Sequence, residues 1–151
     1  MTRDELLFQI GYSIRLEKMQ SMFLARVDRA LNFLQLFLGA AIVTTKWPIV
    51  TGIAVSVLAA ISFVYQLGSK ATEAKLQKQR FEKLLARAPS LTDEVLHTQF
   101  SDMQETDSQV IGSLMNPAYF GECVRLGRTP DVALTFLEKI CAFVAGDLPH
   151  V

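Results

Sequence analysis

The chain has 151 residues, half of them hydrophobic, and its 15 Lys and Arg balance 15 Asp and Glu. That length holds one domain, with room for a membrane part and a small soluble part. Two cysteines, Cys123 and Cys141, with neither paired histidines nor a C-x-x-C, exclude a zinc site and a disulfide framework and read as buried or lipid-side thiols.

The even charge balance hides a split. Residues 1–88 carry 12 basic and 6 acidic side chains, and residues 89–151 carry 3 basic and 9 acidic. The basic half holds the apolar runs, which suits a segment inserted beside anionic headgroups, though a solvated charged helix face reads the same way.

The N-terminus, Met1-Thr2-Arg3-Asp4-Glu5-Leu6, does not resemble a secretory signal, because its apolar run starts too late. Residues 4–29 predict one amphipathic helix. Tyr12, Leu16, Met19, Phe23 and Val27 recur at spacings of three and four, and Arg15, Lys18, Arg26 and Arg29 lie on other faces. Gly11 is its weak point. No stop signal separates this helix from the uncharged stretch Ala30 to Thr45, 16 residues long. Snorkelling by Arg29 and Lys46 lengthens that stretch into a first membrane span; the alternative is a re-entrant or buried core helix.

Thr44-Thr45-Lys46-Trp47-Pro48 predicts a tight helix-to-helix turn with Pro48 at the first helical position. The next run, Trp47 to Ser69, is uncharged for 23 residues. As a helix it covers about 34 Å, enough for a hydrocarbon core of about 30 Å. Trp47 and Tyr65 sit where interfacial aromatics belong. Basic residues precede the first span and follow the second at Lys70, Lys75, Lys78, Arg80, Lys83 and Arg87, whereas the turn has only Lys46. Positive-inside bias places both termini in the cytoplasm.

A stripe of Leu67, Ala71, Ala74, Phe81, Leu84, Leu85 and Ala88 carries the helix to about Ala88, where Pro89 ends it. This 70–88 extension can pair with the 1–29 helix as an antiparallel stalk, or join neighbours in an oligomer. In the acidic region 89–151, Ser90-Leu91-Thr92-Asp93 predicts a capping box for a helix to about Gln104. A short helix over 109–115 is interrupted at Asn116-Pro117 and resumes from Ala118 to Leu126. Thr129-Pro130 restarts a last helix, which carries Val132, Phe136, Ile140, Phe143 and Val144 and stops at Gly146. The expected fold is all-α: a membrane helical hairpin extended by long cytoplasmic helices, plus short C-terminal helices.

Asn32, Gln35, Thr51, Ser56, Ser62 and Gln66 are the polar residues of the apolar runs. Asn32 and Gln35 share a face, and an antiparallel hairpin brings Gln66 near their end. Such amides act as interhelical glue or line a pore. Gly52, Ser56 and Ala60 repeat small residues every fourth position, with Gly39 and Ala40 as a facing groove; they suit close packing within the hairpin or self-association. Arg26, Arg29, Lys46, Trp47, Tyr65 and Lys70 flank the membrane. His97 and His150 stand alone, and Asp93, Glu94, Asp102, Glu105 and Asp107 form an acidic face open to solvent or to the basic stalk. There is no phosphate loop, H-E-x-x-H, G-x-S-x-G or basic patch interleaved with aromatics. No enzyme activity, cofactor, metal or nucleic-acid partner is expected.

Certain words in this layout carry a resemblance. Ile10-Gly11-Tyr12-Ser13-Ile14-Arg15-Leu16 lies in the lead helix, Lys78-Gln79-Arg80-Phe81-Glu82-Lys83-Leu84-Leu85 follows the hairpin, and Leu91-Thr92-Asp93-Glu94 and Asn116-Pro117-Ala118-Tyr119 come later. Over residues 5–125 the chain resembles small two-span membrane proteins of proteobacterial phages and prophages. More distantly it is similar to the SLATT families, found beside nucleotide-signalling and other conflict systems. The resemblance implies a bacterial inner-membrane hairpin that self-assembles and permeabilises the bilayer, as a defence effector or a phage accessory protein. The alternatives are a non-permeabilising scaffold or superinfection-exclusion protein that binds a cytoplasmic partner through 89–151, and a helical phage structural component with the hairpin buried by oligomerisation.

Overall fold

One long helix, α1 (Arg3–Ala41, 39 residues), runs through every part of the molecule and contacts all the other helices. The computed structural model describes residues 2–41, 47–105 and 109–148, and all regular structure among them is helical. After α1 come α2 (Pro48–Tyr65), α3 (Leu67–Arg87), a 3₁₀ turn (Ala88–Ser90), α4 (Asp93–Glu105), α5 (Gly112–Arg125) and α6 (Phe136–Ala145).

The expected stalk forms within the chain. Asp28 of α1 lies beside Gly68 at the start of α3, while Leu6 and Ile10 pack with Phe81, Leu84 and Ala88 near its end, so α1 and α3 are antiparallel. Leu96 and Phe100 of α4 complete this first core cluster. A second cluster joins Leu16 and Met19 of α1 to Leu114 and Ala118 of α5 and to Ala142 and Ala145 of α6. Tyr12 and Phe23 pack against it, so the stripe legible in the sequence is the face that receives α5 and α6.

A second stripe of α1 is also buried: Leu6, Ile10, Ser13, Glu17, Gln20 and Leu24, at heptad-like spacing. Its polar members need partners once out of water. The Gln20 amide donates to the Gln109 carbonyl at 2.9 Å and accepts from the Ile111 N–H at 3.2 Å. On α3, buried Gln77 likewise donates to the Met103 carbonyl at 2.8 Å. These bonds hold the segments at either end of 106–108, which lie outside the described residues, against the stalk.

Gly11 and Gly121 let α1 and α5 interlock. The Glu122 carboxylate occupies the space beside Gly11, and the Arg15 guanidinium occupies the space beside Gly121. Arg15 donates to the Gly121 carbonyl at 3.0 Å and pairs with Asp147 at 2.5 Å, and Glu122 is held by Arg125 at 2.6 and 2.9 Å. Phe8 meets Tyr119 edge-on, and Arg128 covers the Phe8 ring.

Four boundaries correct the expectation. Ser90 does not cap α4: it sits in the 3₁₀ turn and its hydroxyl donates to the Arg87 carbonyl, while the Leu96 N–H bonds the Thr92 carbonyl. The helix expected from Gln109 begins at Gly112, because Gln109 and Ile111 use their backbone to satisfy Gln20. Pro117 lies inside α5 and does not interrupt it. Its missing hydrogen bond and ring clash cost about 3 kcal/mol, and burial of Leu114, Pro117, Ala118 and Gly121 on one face offsets that. Finally, α6 starts at Phe136 rather than at Thr129-Pro130, because Thr135 and Glu138 form a reciprocal capping box. Gly146, at φ 74°, ends α6 as expected.

Candidate functional site

The distal third of α1 and the whole of α2 form the apolar end of the molecule. α2 has no buried residue. Ile49, Val50, Ile53, Val57, Phe63 and Val64 are more than half exposed, and so are Phe33, Leu36 and Phe37 of α1. The helical stretch Pro48–Ser90 is long and apolar enough to cross a membrane, and its most apolar window is entirely unburied. It is the one such stretch among the described residues. α1 is described only to Ala41, so the Ala30–Thr45 span and the turn with Lys46 fall partly outside the described residues.

α1 and α2 run side by side, and the Gln35 amide donates to the Ser62 hydroxyl across them at 2.8 Å. The pairing therefore uses Ser62. Asn32 donates to Asp28 one turn back in its own helix at 3.1 Å. Gln66 is exposed, and its backbone is the break between α2 and α3, with φ and ψ both 46°. Its N–H returns to the Ser62 carbonyl at 3.1 Å and its carbonyl accepts from Lys70 at 3.1 Å. The two helices are thus stitched across a left-handed residue. The side-chain bonds of Asn32 and Gln35 run to Asp28 and Ser62, and Gln66 bonds through its backbone.

The small-residue stripe faces open space. A methyl group at Gly52 or Gly39 would meet no atom within 4 Å. Ser56 and Ala60 are exposed, and the Ser56 hydroxyl bonds the Gly52 carbonyl at 2.9 Å. Trp47 is exposed just before α2, with its carbonyl accepting from Thr51, and Tyr65 is exposed at the other end.

Below the apolar end two of the flanking cations, Arg26 and Lys70, have definite jobs. Arg26 donates to the Val144 carbonyl at 2.7 Å and lies beside Gly146, fixing the end of α6 to α1. Lys70 reaches the Gln109 side chain at 3.4 Å. Arg3 grips the turn after α3, donating to the Ala88 carbonyl at 2.6 Å and pairing with Asp93. Asp93 thus ties the acidic face to the stalk.

Titration shifts gather in the bundle. Hydrogen bonds from Thr135, backbone first and hydroxyl second, hold Glu138 below its ordinary value, with a smaller contribution from Asn116. The Thr2 backbone and hydroxyl lower Glu5 in the same way. Tyr119 is pushed up to about 12, chiefly by hydrogen bonds to Cys123 and Asp131, and burial raises Tyr12. The hydrogen bond to Glu122 raises Arg125. Among the described residues no cluster of His, Cys, Asp or Glu could hold a metal ion. His97 is exposed on α4, and His150 lies outside the described residues.

Sequence reasoning missed Ser62 as the partner of Gln35 and Asp28 as the partner of Asn32. The usable signal was register: α1 and α3 pair through Asp28 and Gly68, and continuing that antiparallel alignment upward sets Gln35 opposite Ser62. Comparison with protein families, with curated proteins and with solved structures returned no match.

Proposed function

We propose that the chain is a two-span protein of a bacterial inner membrane, with both ends and the helical bundle in the cytoplasm, that self-assembles in the bilayer. The spans are residues 30–45 and 47–69. The exposure of α2 and of the end of α1 carries the reading. So continuous an apolar surface is stable in lipid or inside an oligomer and unfavourable in water. The open stripe of Gly52, Ser56 and Ala60 supports assembly, since small residues let a second hairpin approach closely. Assembly of hairpins that permeabilises the bilayer, as an effector or phage accessory protein, is the functional reading. The test is dye leakage from liposomes containing purified full-length protein, with oligomeric state measured in the same detergent. Leakage by a defined oligomer is expected; a monomer that inserts without leakage defeats the reading.

One observation favours a second role, as a non-permeabilising scaffold or exclusion protein. On α6, Phe136 is 80% and Phe143 71% exposed, with Leu137 and Ile140 beside them, a face suited to a cytoplasmic protein partner. Deleting 129–151 would remove Ala142 and Ala145 from the core. The cleaner variant is Phe136→Ser with Phe143→Ser, which under this reading abolishes activity while insertion and folding persist. A helical phage structural component, with the hairpin buried between copies, differs from both in being released by a carbonate wash.

A further inference from the structure

Directly below the apolar end, α1 and α3 leave a groove of about 580 Å³ between them. Five cations line it, Lys18, Arg26 and Arg29 from α1 and Lys75 and Lys78 from α3, against one carboxylate, Asp28. Asp28 is already engaged, since it accepts from Asn32 at 3.1 Å and lies beside Gly68. Three of the cations have internal partners: Lys18 is 3.6 Å from Asp147, Lys78 is 3.1 Å from Glu82, and Arg26 bonds the Val144 carbonyl. Arg29 and Lys75 have no ion-pair partner among the described residues.

Position adds to charge. Arg29 is the last charged residue before the uncharged run from Ala30, and the groove's upper rim on α3 is Gly68, three residues after Tyr65. From Arg29 to Lys18 the groove descends along α1 by about 16 Å, so in the two-span reading its upper end lies at headgroup depth and its lower end beyond it, away from the hydrocarbon. Gly68 forms the rim on α3, within van der Waals reach of the Asp28 carboxylate. Three of the five are matched internally, which leaves Arg29 and Lys75 as like charges on facing helices that a shared anion would neutralise.

We infer that this groove binds a phosphate-bearing anion, supplied by a lipid headgroup of the cytoplasmic leaflet, with Arg29 and Lys75 as its principal contacts. The lipid source rests on the two-span reading; the phosphate chemistry does not. Arg29 offers a planar fork for two phosphate oxygens and Lys75 a point charge from the facing helix. The bound headgroup would bridge α1 and α3 where the chain leaves the membrane, and so hold the hairpin's entry angle against the bundle.

The experiment is native mass spectrometry and thermal unfolding of the full-length protein in neutral detergent. The additions are phosphatidylglycerol, phosphatidylcholine or inorganic pyrophosphate. The expected result is retention of phosphatidylglycerol, with a raised Tm that phosphatidylcholine does not give. The variant Arg29→Gln with Lys75→Gln should bind roughly thirtyfold more weakly, and Arg29→Lys with Lys75→Arg should restore binding. A shift from pyrophosphate alone, lost in the glutamine variant, keeps the phosphate site and assigns its source to a soluble anion. Equal binding by wild type and glutamine variant, or no shift from any anion, overturns the site. Carbonate-wash fractionation reports separately on the two-span reading: a washed-off protein that still binds pyrophosphate through Arg29 and Lys75 loses the membrane assignment and keeps the groove.

Discussion

Gln35 and Ser62 are joined by a 2.8 Å hydrogen bond between α1 and α2, where both side chains are half-buried between the apolar helices. It ties the two apolar helices through side chains, whereas Asn32, one turn earlier, spends its amide on Asp28 within α1.

Replacing Gln35 with Leu, Ser62 with Ala, and both together therefore makes a double-mutant cycle for the hairpin. The expected coupling is about 0.6 to 2 kcal/mol, the range for polar contacts between membrane helices. Asn32→Leu should leave that coupling unchanged, since its partner is in its own helix. Thermal unfolding in detergent reads all the variants. If Asn32→Leu removes as much stability as Gln35→Leu, the pairing is assigned wrongly. In the leakage assay, unchanged conductance of well-expressed protein carrying both Asn32→Leu and Gln35→Leu would rule out a lumen lined by these amides.

Gly11→Ala and Gly121→Ala should each destabilise the bundle by about 1 to 3 kcal/mol, by the usual cost of overpacking. The added methyl group displaces Glu122 in the first case and Arg15 in the second, and each is tied to a second partner. Chemical unfolding at fixed detergent concentration measures both. Gly39→Ala and Gly52→Ala, which point into open space, are the controls and should raise the monomer's stability by about 0.5 to 1 kcal/mol, the helix preference of alanine over glycine.

Gln66 holds a left-handed backbone that costs a non-glycine residue about 1 to 2 kcal/mol. Gln66→Gly should raise stability by about 1 kcal/mol, and Gln66→Val should lower it, because a β-branched side chain fits that conformation poorly. Equal melting temperatures for the two variants would mean that the break between α2 and α3 is not held in solution. Because the break lies between the apolar helix and the bundle, the same pair tests whether it sets hairpin activity.

Glu138 makes stability depend on pH in a definite direction. Its folded pKa is below its ordinary value of 4.5, so the ionised form is favoured by folding. That stabilisation is fully present above the unfolded value and is lost as pH falls through the folded value. Melting temperatures taken from neutral pH down through the carboxylate range should therefore fall. Glu138→Gln should remove that part of the fall while keeping some of the cap. Thr135→Ala, which loses the hydroxyl of the capping box, should cost about 1 kcal/mol at neutral pH.

Helix type was legible wherever periodicity and composition agreed. The stripe from Tyr12 to Phe23, the stripe from Ala71 to Ala88, the stop at Pro89 and the stop at Gly146 all follow from local rules. The second buried face of α1 escaped notice because Ser13, Glu17 and Gln20 are polar and add nothing to an apolar periodicity. Their burial depends on partners such as the Gln109 and Ile111 backbone, about 90 residues away in sequence. For the candidate site, the sequence identified the polar residues of the hairpin and their shared end but not that Gln35 bonds Ser62.

By itself the sequence determined that the chain is helical, that one end is too apolar for water, and where the cations gather beside it. Those properties are sums over neighbouring residues, so local chemistry decides them. Tertiary structure alone decided which polar groups are buried, that Pro117 continues a helix, that Gln66 breaks one, and that five cations from two helices face a common groove. Each of these depends on register between segments far apart in the chain. There a hydrogen bond or a buried face offsets a local cost that periodicity would have forbidden.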